Sequence, residues 1–502
     1  MLGGLFMAKD AVCENTVAKN KPVAGNNRRY VGSKESLAYV VYDISQSFNI
    51  NKYADVFITD VVQIGLSFQT VVNFVIGIWD VINDVFLAAV VDKTRTRFGK
   101  FRPWLFVCSG PGFLLSLVYW LLPIIFSGTD PYHTGKLAFY MIFQLINNLN
   151  GSLANISRTG MLSTITPNII ERTRLITQAS LFSGFVEKWP EIFMGLLIDL
   201  INHGKLKIPM KALYVSAGVF TSTVVSIMGL FFVFTAKERV AQRVEKPSIW
   251  QGIKSIFNNK PLLILTITEF LQAFGMNSGT NYYYINVLGF ASMTTVVGIP
   301  GAFVSPTSYA FVTKARARFS TRTLWITSSH LGDFLMIFVY LVGVVNKNYK
   351  KLSVMIPAFM IRETIWMTCW GLMNVIPEEM RNETIDYGEW KNGYRTEGMT
   401  GVAKDLARKL VGTLGNTIKS FILSKIGYVE GAGYGNQSER TEYLLFMMCT
   451  LLPTVTSVFG LIPKFFYDLS GEKKERMYRE LAERRKSIID KANEINDKIE
   501  SE

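Results

Sequence analysis

Apolar residues fall in long blocks, not short amphipathic periods, through most of the chain from residue 36 to residue 466. A helix needs roughly 20 such residues to cross the hydrocarbon core of a bilayer. The pattern predicts twelve spanning helices, over residues 36–61, 64–91, 104–126, 136–160, 175–202, 211–236, 261–287, 290–312, 324–345, 353–376, 397–425 and 441–466. The expected fold class is an all-α membrane protein.

The loops between the blocks contain a repeat. After the second block the sequence reads "DKTRTRFGKFRPW" (92–104), and after the eighth "TKARARFSTRTLW" (313–325). Lys93 and Lys314, Arg95 and Arg316, Arg97 and Arg318, Phe98 and Phe319, and Trp104 and Trp325 recur at matching offsets. Basic loops converge easily, but the aligned Phe and Trp point to duplication. The layout expected is a cytoplasmic N-terminal tail (1–35), a six-helix half (36–236), a charged cytoplasmic linker (237–260), a second six-helix half (261–466) and a charged tail helix (467–502). Two pseudo-symmetric six-helix halves describe the major facilitator fold, in which substrate binds between the halves near the midplane.

Charge adds orientation. The chain carries 53 Lys and Arg against 39 Asp and Glu, a net charge of +14. The basic residues concentrate in alternate loops, which places those loops and both termini in the cytoplasm. The surplus therefore reflects topology; no helix-turn-helix or finger pattern points to a nucleic acid. The opening "MLGGLFMAKD" lacks the charged start and long apolar core of a cleaved signal. Cys13, Cys108, Cys369 and Cys449 form no C-x-x-C, and His133, His203 and His330 show no ligand spacing, so no disulfide, transition metal or other cofactor is expected. "GTDPYHTGK" lacks the glycine spacing of a phosphate loop. No catalytic constellation stands out, so an enzyme is not expected.

The chemistry lies in polar residues inside the apolar blocks. "GIWDVINDVF" (77–86) places Asp80, Asn83 and Asp84 at spacings of three and four, on one helix face. A carboxylate at mid-bilayer costs about 2.5–3.5 kcal/mol on insertion scales, so two within one turn need a specific use. At about 1.5 Å per residue, Asp84 lies roughly 13 Å and Asp80 roughly 20 Å from Lys93 at the cytoplasmic surface. Two such carboxylates require a proton on one, a bound cation, or a basic residue from another helix. The oxygen-only set suits a hard monovalent ion.

The fourth block repeats the theme with Gln144, Asn148, Gly151, Asn155 and Arg158, flanked by Ser152 and Thr159. The first adds Tyr39, Tyr42, Asp43 and Gln46. In the tenth, Arg362, Trp366, Trp370 and Asn374 recur every four residues, either as a sugar-stacking face or as a packed aromatic ridge. In the eleventh, Arg408 and Lys409 are deep enough to need a partner, which Asp80, Asp84 or an anionic ligand can supply.

Over residues 36–466 the chain resembles the glycoside/pentoside/hexuronide:cation symporters, the melibiose permease family. "IWDVIND" followed by "DKTRTRFGKFRPW", "STITPNIIERTRL" (163–175) and "DYGEWKNGYRTEGM" (386–399) are similar to its signatures. The resemblance implies cation binding at Asp80, Asn83, Asp84 and Ser152, a role for Lys409 near both cation and sugar, and a sugar-binding role for Asp43. Gln46, Asn148, Asn155, Thr159, Trp366, Trp370, Arg408 and Lys409 complete the expected substrate site. Arg172, Asp386 and Arg395 match positions that form cytoplasmic ion pairs. Asn155, Thr159 and Ser180 stand where the galactoside-binding member has charged and aromatic sugar ligands, so melibiose is not carried over as substrate.

The function expected is Na⁺- or H⁺-coupled uptake of a glycoside, oligosaccharide or uronide by alternating access, in the plasma membrane and by a monomer. The alternatives are transport of a lipid-like amphiphile or a membrane-embedded enzyme.

Overall fold

The computed structural model describes residues 30–94, 96–128, 130–166, 169–186, 188–239, 257–276, 279–392 and 397–484. Among them the chain is helical, with a single isolated bridge between Thr96 and Gly99. The N-terminal group comprises α1 (Ser33–Ser47), α2 (Leu66–Lys93), α3 (Arg102–Ser109), α4 (Pro111–Ile125), α5 (Thr134–Thr164), α6 (Ile169–Val186), α7 (Trp189–Asn202) and α8 (Met210–Thr235). The C-terminal group comprises α9 (Lys260–Met276), α10 (Thr280–Asn286), α11 (Met293–Ser308), α12 (Val312–Arg318), α13 (Thr321–Val344), α14 (Leu352–Met367), α15 (Trp370–Asn392), α16 (Glu397–Lys425) and α17 (Glu439–Lys464). A further helix, α18, runs over 471–484.

Each predicted span falls on helical residues, but many are interrupted. Among the described residues, six helical stretches are long and apolar enough to cross a membrane unaided, and α14 with α15, bent by 44°, makes a seventh if the pair is one span. The others are broken, or carry the polar residues that drew attention in the sequence. The breaks have local causes. Gly110 and Pro111 separate α3 from α4, since proline has no N–H to continue the ladder. Gly279, at φ 68°, takes the left-handed conformation that starts α10. Two helix starts are capped by a serine: Ser320 Oγ accepts from the Thr323 amide at 3.2 Å, and Ser438 Oγ from the Thr441 amide at 3.1 Å.

The two groups meet most closely at one end, opposite the basic loops. There a shared apolar core joins Tyr53, Phe57 and Tyr214 of the first group to Tyr283 and Phe446 of the second. Polar contacts reinforce it. Asp60 accepts from the Tyr428 hydroxyl at 2.8 Å, and Glu430 from the Leu66 amide at 3.0 Å. Asp199 accepts from the amides of Ala291 and Ser292. At the basic end the described contacts stay within one group. Glu238 accepts from the amides of Lys100, Phe101 and Arg102, each at 2.8 Å, and Arg239 pairs with Glu35 at 2.7 Å. Separate apolar clusters lie behind them, one around Phe101 and Phe232 and one around Trp325 and Tyr467.

The sequence leaves the tail as a helix on the protein or lipid surface or as a merely solvated segment; in the structure, α18 over 471–484 docks on the protein. Met477 and Leu481 are fully buried, and Trp390 Nε1 on α15 donates to Glu480 at 2.6 Å.

Between the groups, α2 and α16 form the main seam. Gly77 faces Thr413 so closely that an added Cβ would overlap the Thr413 side chain. Gly77→Val is expected to part the two helices, at about 1–3 kcal/mol for an overpacked contact, read as a lower melting temperature of the purified protein. Adding Thr413→Gly should restore part of the loss; strict additivity of the two changes would show that they do not share this contact.

Candidate functional site

The polar faces of α2 and α5 meet at mid-helix, and α16 closes over them. Asp80, four residues before Asp84, points its carboxylate toward α5, where Asn148 Nδ2 donates at 3.0 Å and Ser152 Oγ at 3.1 Å. Asn83, 2 % exposed, donates to Asn148 Oδ1 at 2.5 Å, while its own Oδ1 is buried without a hydrogen-bond partner. From α16, Lys409 Nζ lies 2.7 Å from Asp80 Oδ2 and 2.5 Å from Asp84 Oδ2. One ammonium thus bridges two carboxylates across the boundary between the two groups. All three side chains retain part of their exposure, between 20 % and 35 %. The seam continues toward the closed end, where Asn73 Nδ2 donates to Ser420 Oγ at 3.0 Å.

The α5 stripe extends toward the basic end into a second pair. Arg158 Nη2 lies 2.8 Å from Asp43 Oδ1 of α1, and Ser183 Oγ of α6 donates to Asp43 Oδ2 at 2.9 Å. Arg158 keeps 41 % exposure, so its guanidinium is not used up by this partner. Asn155 and Thr159 are exposed on the same helix, with Thr159 Oγ1 bonding only its own turn, through the Asn155 carbonyl. Gln46 lines a cavity of about 350 Å³ between α1, α3, α4, α5 and α8, walled by Asn49, Asn150, Ser109 and Trp120.

The tenth-span residues are placed elsewhere. Trp366 packs against Gly332 of α13, with the Arg362 guanidinium 4.4 Å from its ring centroid. Trp370 meets it edge-on, with centroids 6.3 Å apart at 88°. This is the packed aromatic ridge the sequence left open. The Arg362–Glu363 pair beside it, at 2.7 Å, was not anticipated, because Glu363 lies off the four-residue stripe.

At the basic end, Arg172 Nη2 donates to the Thr166 carbonyl at 2.9 Å, and Asp386 accepts from Tyr478 of α18 at 3.4 Å. Arg395 and the side chain of Arg408 lie outside the described residues, as do residues 1–29, 240–256 and 485–502. Glu171, next to Arg172, anchors the first described residues. Burial alone would raise its carboxyl, but hydrogen bonds from Thr166 and the amides of Val31 and Tyr30, with Arg239 nearby, hold it below the usual carboxylate range.

Two helical groups joined by a charged seam at membrane depth are the architecture of a membrane transporter. Residues 38–471 match the family model described as MFS/sugar transport protein, and the chain belongs to that family. It is 24% identical over 439 residues to a glucuronide carrier protein homolog of Escherichia coli (strain K12), covering 85% of this chain and 90% of that one. It is 25% identical over 490 residues to a putative sulfoquinovose importer of Salmonella typhimurium, covering 90% and 93%. Among solved structures, a bacterial homolog of the human lysosomal transporter Spinster superposes with a TM-score of 0.55 at 11% identity, over 86% of this chain and 95% of the other. The protein is thus an integral membrane transporter of the sugar-transport type, not an enzyme. It agrees with the resemblance to glycoside and hexuronide symporters.

Proposed function

We propose that this protein couples entry of one monovalent cation, Na⁺ or H⁺, to movement of an acidic sugar or glycoside across the plasma membrane by alternating access. The observation that carries the reading is the bridge from Lys409 to Asp80 and Asp84. Two carboxylates and one ammonium sum to a single negative charge, which one proton or one sodium ion brings to zero. The residues fit such an ion. Asp80 and Asp84 supply anionic oxygens, Ser152 a hydroxyl, and Asn83 an amide oxygen that the protein leaves unpartnered.

In this reading Lys409 holds the carboxylates while the ion is away and yields part of its contact when the ion arrives. Because Lys409 lies on one group and the aspartates on the other, ion binding changes how tightly the groups are held across the seam. Substrate between the groups experiences the same change. Coupling of about 1–3 kcal/mol is usual for linked ligands of this kind. The two groups act as six-helix halves of a twelve-span bundle, with the basic end in the cytoplasm, and a monomer holds every part of the site.

The names of two relatives, one a glucuronide carrier homolog and one a putative sulfoquinovose importer, support uronides and sulfonated sugars as candidates, where the sequence alone favours neutral glycosides first and uronides second. Arg158, on the polar stripe with its guanidinium partly free, supplies the cation that an acid group requires. The test is uptake by proteoliposomes from a panel of labelled neutral glycosides, uronides and sulfonated sugars, under an inward sodium gradient, an inward proton gradient and neither. Accumulation of an acidic sugar under one gradient is expected. No accumulation of any member under either gradient would overturn the reading.

A further inference from the structure

The C-terminal half holds a second set of ionisable groups, away from the α2–α16 seam. His330 and Asp333 sit one turn apart on α13, and both reach Ser457 on α17. Ser457 Oγ donates to Asp333 Oδ2 at 2.8 Å and lies 2.5 Å from His330 Nδ1. Since the hydroxyl proton is given to Asp333, Ser457 accepts from Nδ1–H, and the free lone pair of the imidazole is on Nε2. His330 is 1 % exposed, and that Nε2 is buried without a partner. Thr454 Oγ1 fixes the turn further by donating to the Asp333 carbonyl at 2.7 Å.

Lys464 closes the group. It ends α17 near the basic end, where a lysine ordinarily extends its ammonium to water. Side chains on a helix lean toward its N-terminus, and here that direction leads inward. Lys464 is fully buried, its ammonium lies 4.5 Å from the centroid of the Trp325 ring, and Nζ has no hydrogen-bond acceptor. An ammonium over an indole face gains a cation–π contact, which does not replace the hydrogen bonds lost on burial. The cluster therefore contains a buried proton donor without an acceptor and a buried proton acceptor without a donor.

Water has a route to its Asp333 and Ser457 members. A cavity of about 310 Å³ between α9, α13, α15 and α17 is walled by Asp333, Ser457, Trp325, Gln272, Glu269 and Arg381. The other charges facing the cluster are already matched. Arg381 of α15 pairs with Glu269 of α9 at 2.5 Å and with Glu378; Arg362 of α14 pairs with Glu363. Beyond the end of α17, Asp468 pairs with Lys260 and Lys473, and the Tyr467 ring packs on Trp325 with centroids 5.8 Å apart.

We propose that His330, Asp333, Ser457 and Lys464 form a proton-binding site of the C-terminal half, separate from the Asp80–Asp84 pair. With the proton bound, Lys464 is an ammonium facing the Asp333 carboxylate. On release the proton passes by way of Asp333, which lines the cavity, to water there, leaving a neutral amine that can accept from or donate to the cluster and Asp333 again a carboxylate. His330 and Ser457 hold the Asp333 carboxylate in place through the chain of hydrogen bonds from Nδ1–H to the hydroxyl and from the hydroxyl to Oδ2. The ligand is the proton itself, and the site makes the packing of α17 on α13 depend on pH.

Trp325 is the reporter, because the charge that changes lies over its ring. The measurement is a titration of intrinsic tryptophan emission from roughly pH 5 to roughly pH 9, on the full chain in nanodiscs without substrate. A one-proton step is expected. It should disappear in Trp325→Phe and in Lys464→Met, and persist in Asp84→Asn. In Asp333→Asn, which loses the carboxylate that favours the ammonium, the midpoint should fall by about one unit or more. This variant carries the test if Lys464→Met does not fold. Absence of the step in the parent protein, or an unmoved midpoint in Asp333→Asn, overturns the proposal. Neither result depends on sugar transport, so failure here is distinct from failure of the symport reading.

Discussion

Asp84→Asn will abolish gradient-driven accumulation of substrate while leaving the protein folded in the membrane. In the parent, Lys409 offsets one of the two carboxylates, and in the proposed reading the remaining negative charge is what draws a cation into the seam. An amide at position 84 keeps the shape and the hydrogen-bonding capacity of the side chain but removes that charge. Lys409 then pairs fully with Asp80, and no electrostatic reason remains for an ion to enter. At 4 Å and an effective dielectric near 20, the interaction of two unit charges is about 4 kcal/mol, large enough to decide occupancy. Substrate exchange down its own gradient need not be lost, because Asp43, Arg158 and the α5 stripe are untouched. The measurement pairs concentrative uptake with counterflow in the same proteoliposomes. Loss of accumulation with counterflow retained is the expected result; undiminished accumulation would remove Asp84 from the ion site.

The residues of this site were readable from the sequence because they share helices. Asp80, Asn83 and Asp84 lie within five positions, and the α5 stripe repeats at helical period, so one-dimensional spacing carries their geometry. The fold class was readable for a similar reason, since length and apolar composition dictate a spanning helix. What spacing does not carry is the partner on another helix. Lys409 was marked as needing one, but the bridge to both carboxylates spans more than 300 positions. The Asp43–Arg158 pair joins α1 to α5 in the same way. The tenth-span tryptophans show the converse, because a four-residue period fixes a face without saying what that face meets; here it meets Gly332 and the neighbouring ring. His330 had no ligand spacing in sequence, and its partner Ser457 is 127 positions away. Helix breaks were missed: the third block reads as one span through Gly110 and Pro111, where α3 gives way to α4, and the first block gave little sign that α1 ends at Ser47 and resumes as short turns over 51–61.

Lys409→Ala tests the other side of the same balance, and its effect should be as large as that of Asp84→Asn but opposite in kind. Removing the ammonium leaves Asp80 and Asp84 with a combined charge of −2 on one turn of α2, partly buried beside α16, whose Thr413 packs on Gly77 of the same helix. Removing one partner of a buried pair costs about 3–5 kcal/mol when nothing replaces it, less here because the three side chains keep some contact with water. The carboxylates can recover that free energy by taking up a proton or a metal ion. The ion should therefore bind at least as tightly as in the parent and leave more slowly, because no lysine returns to displace it. Turnover with a coupled substrate should fall to background, while ion binding, read by calorimetry or by ion-induced tryptophan emission, survives. Lys409→Arg, which keeps the charge but not the compact ammonium, should recover part of the turnover. If Lys409→Ala instead accumulates substrate normally, the lysine is a packing residue. If it loses ion binding altogether, Lys409 does not compete with the ion, and the exchange of lysine for cation at the seam is wrong.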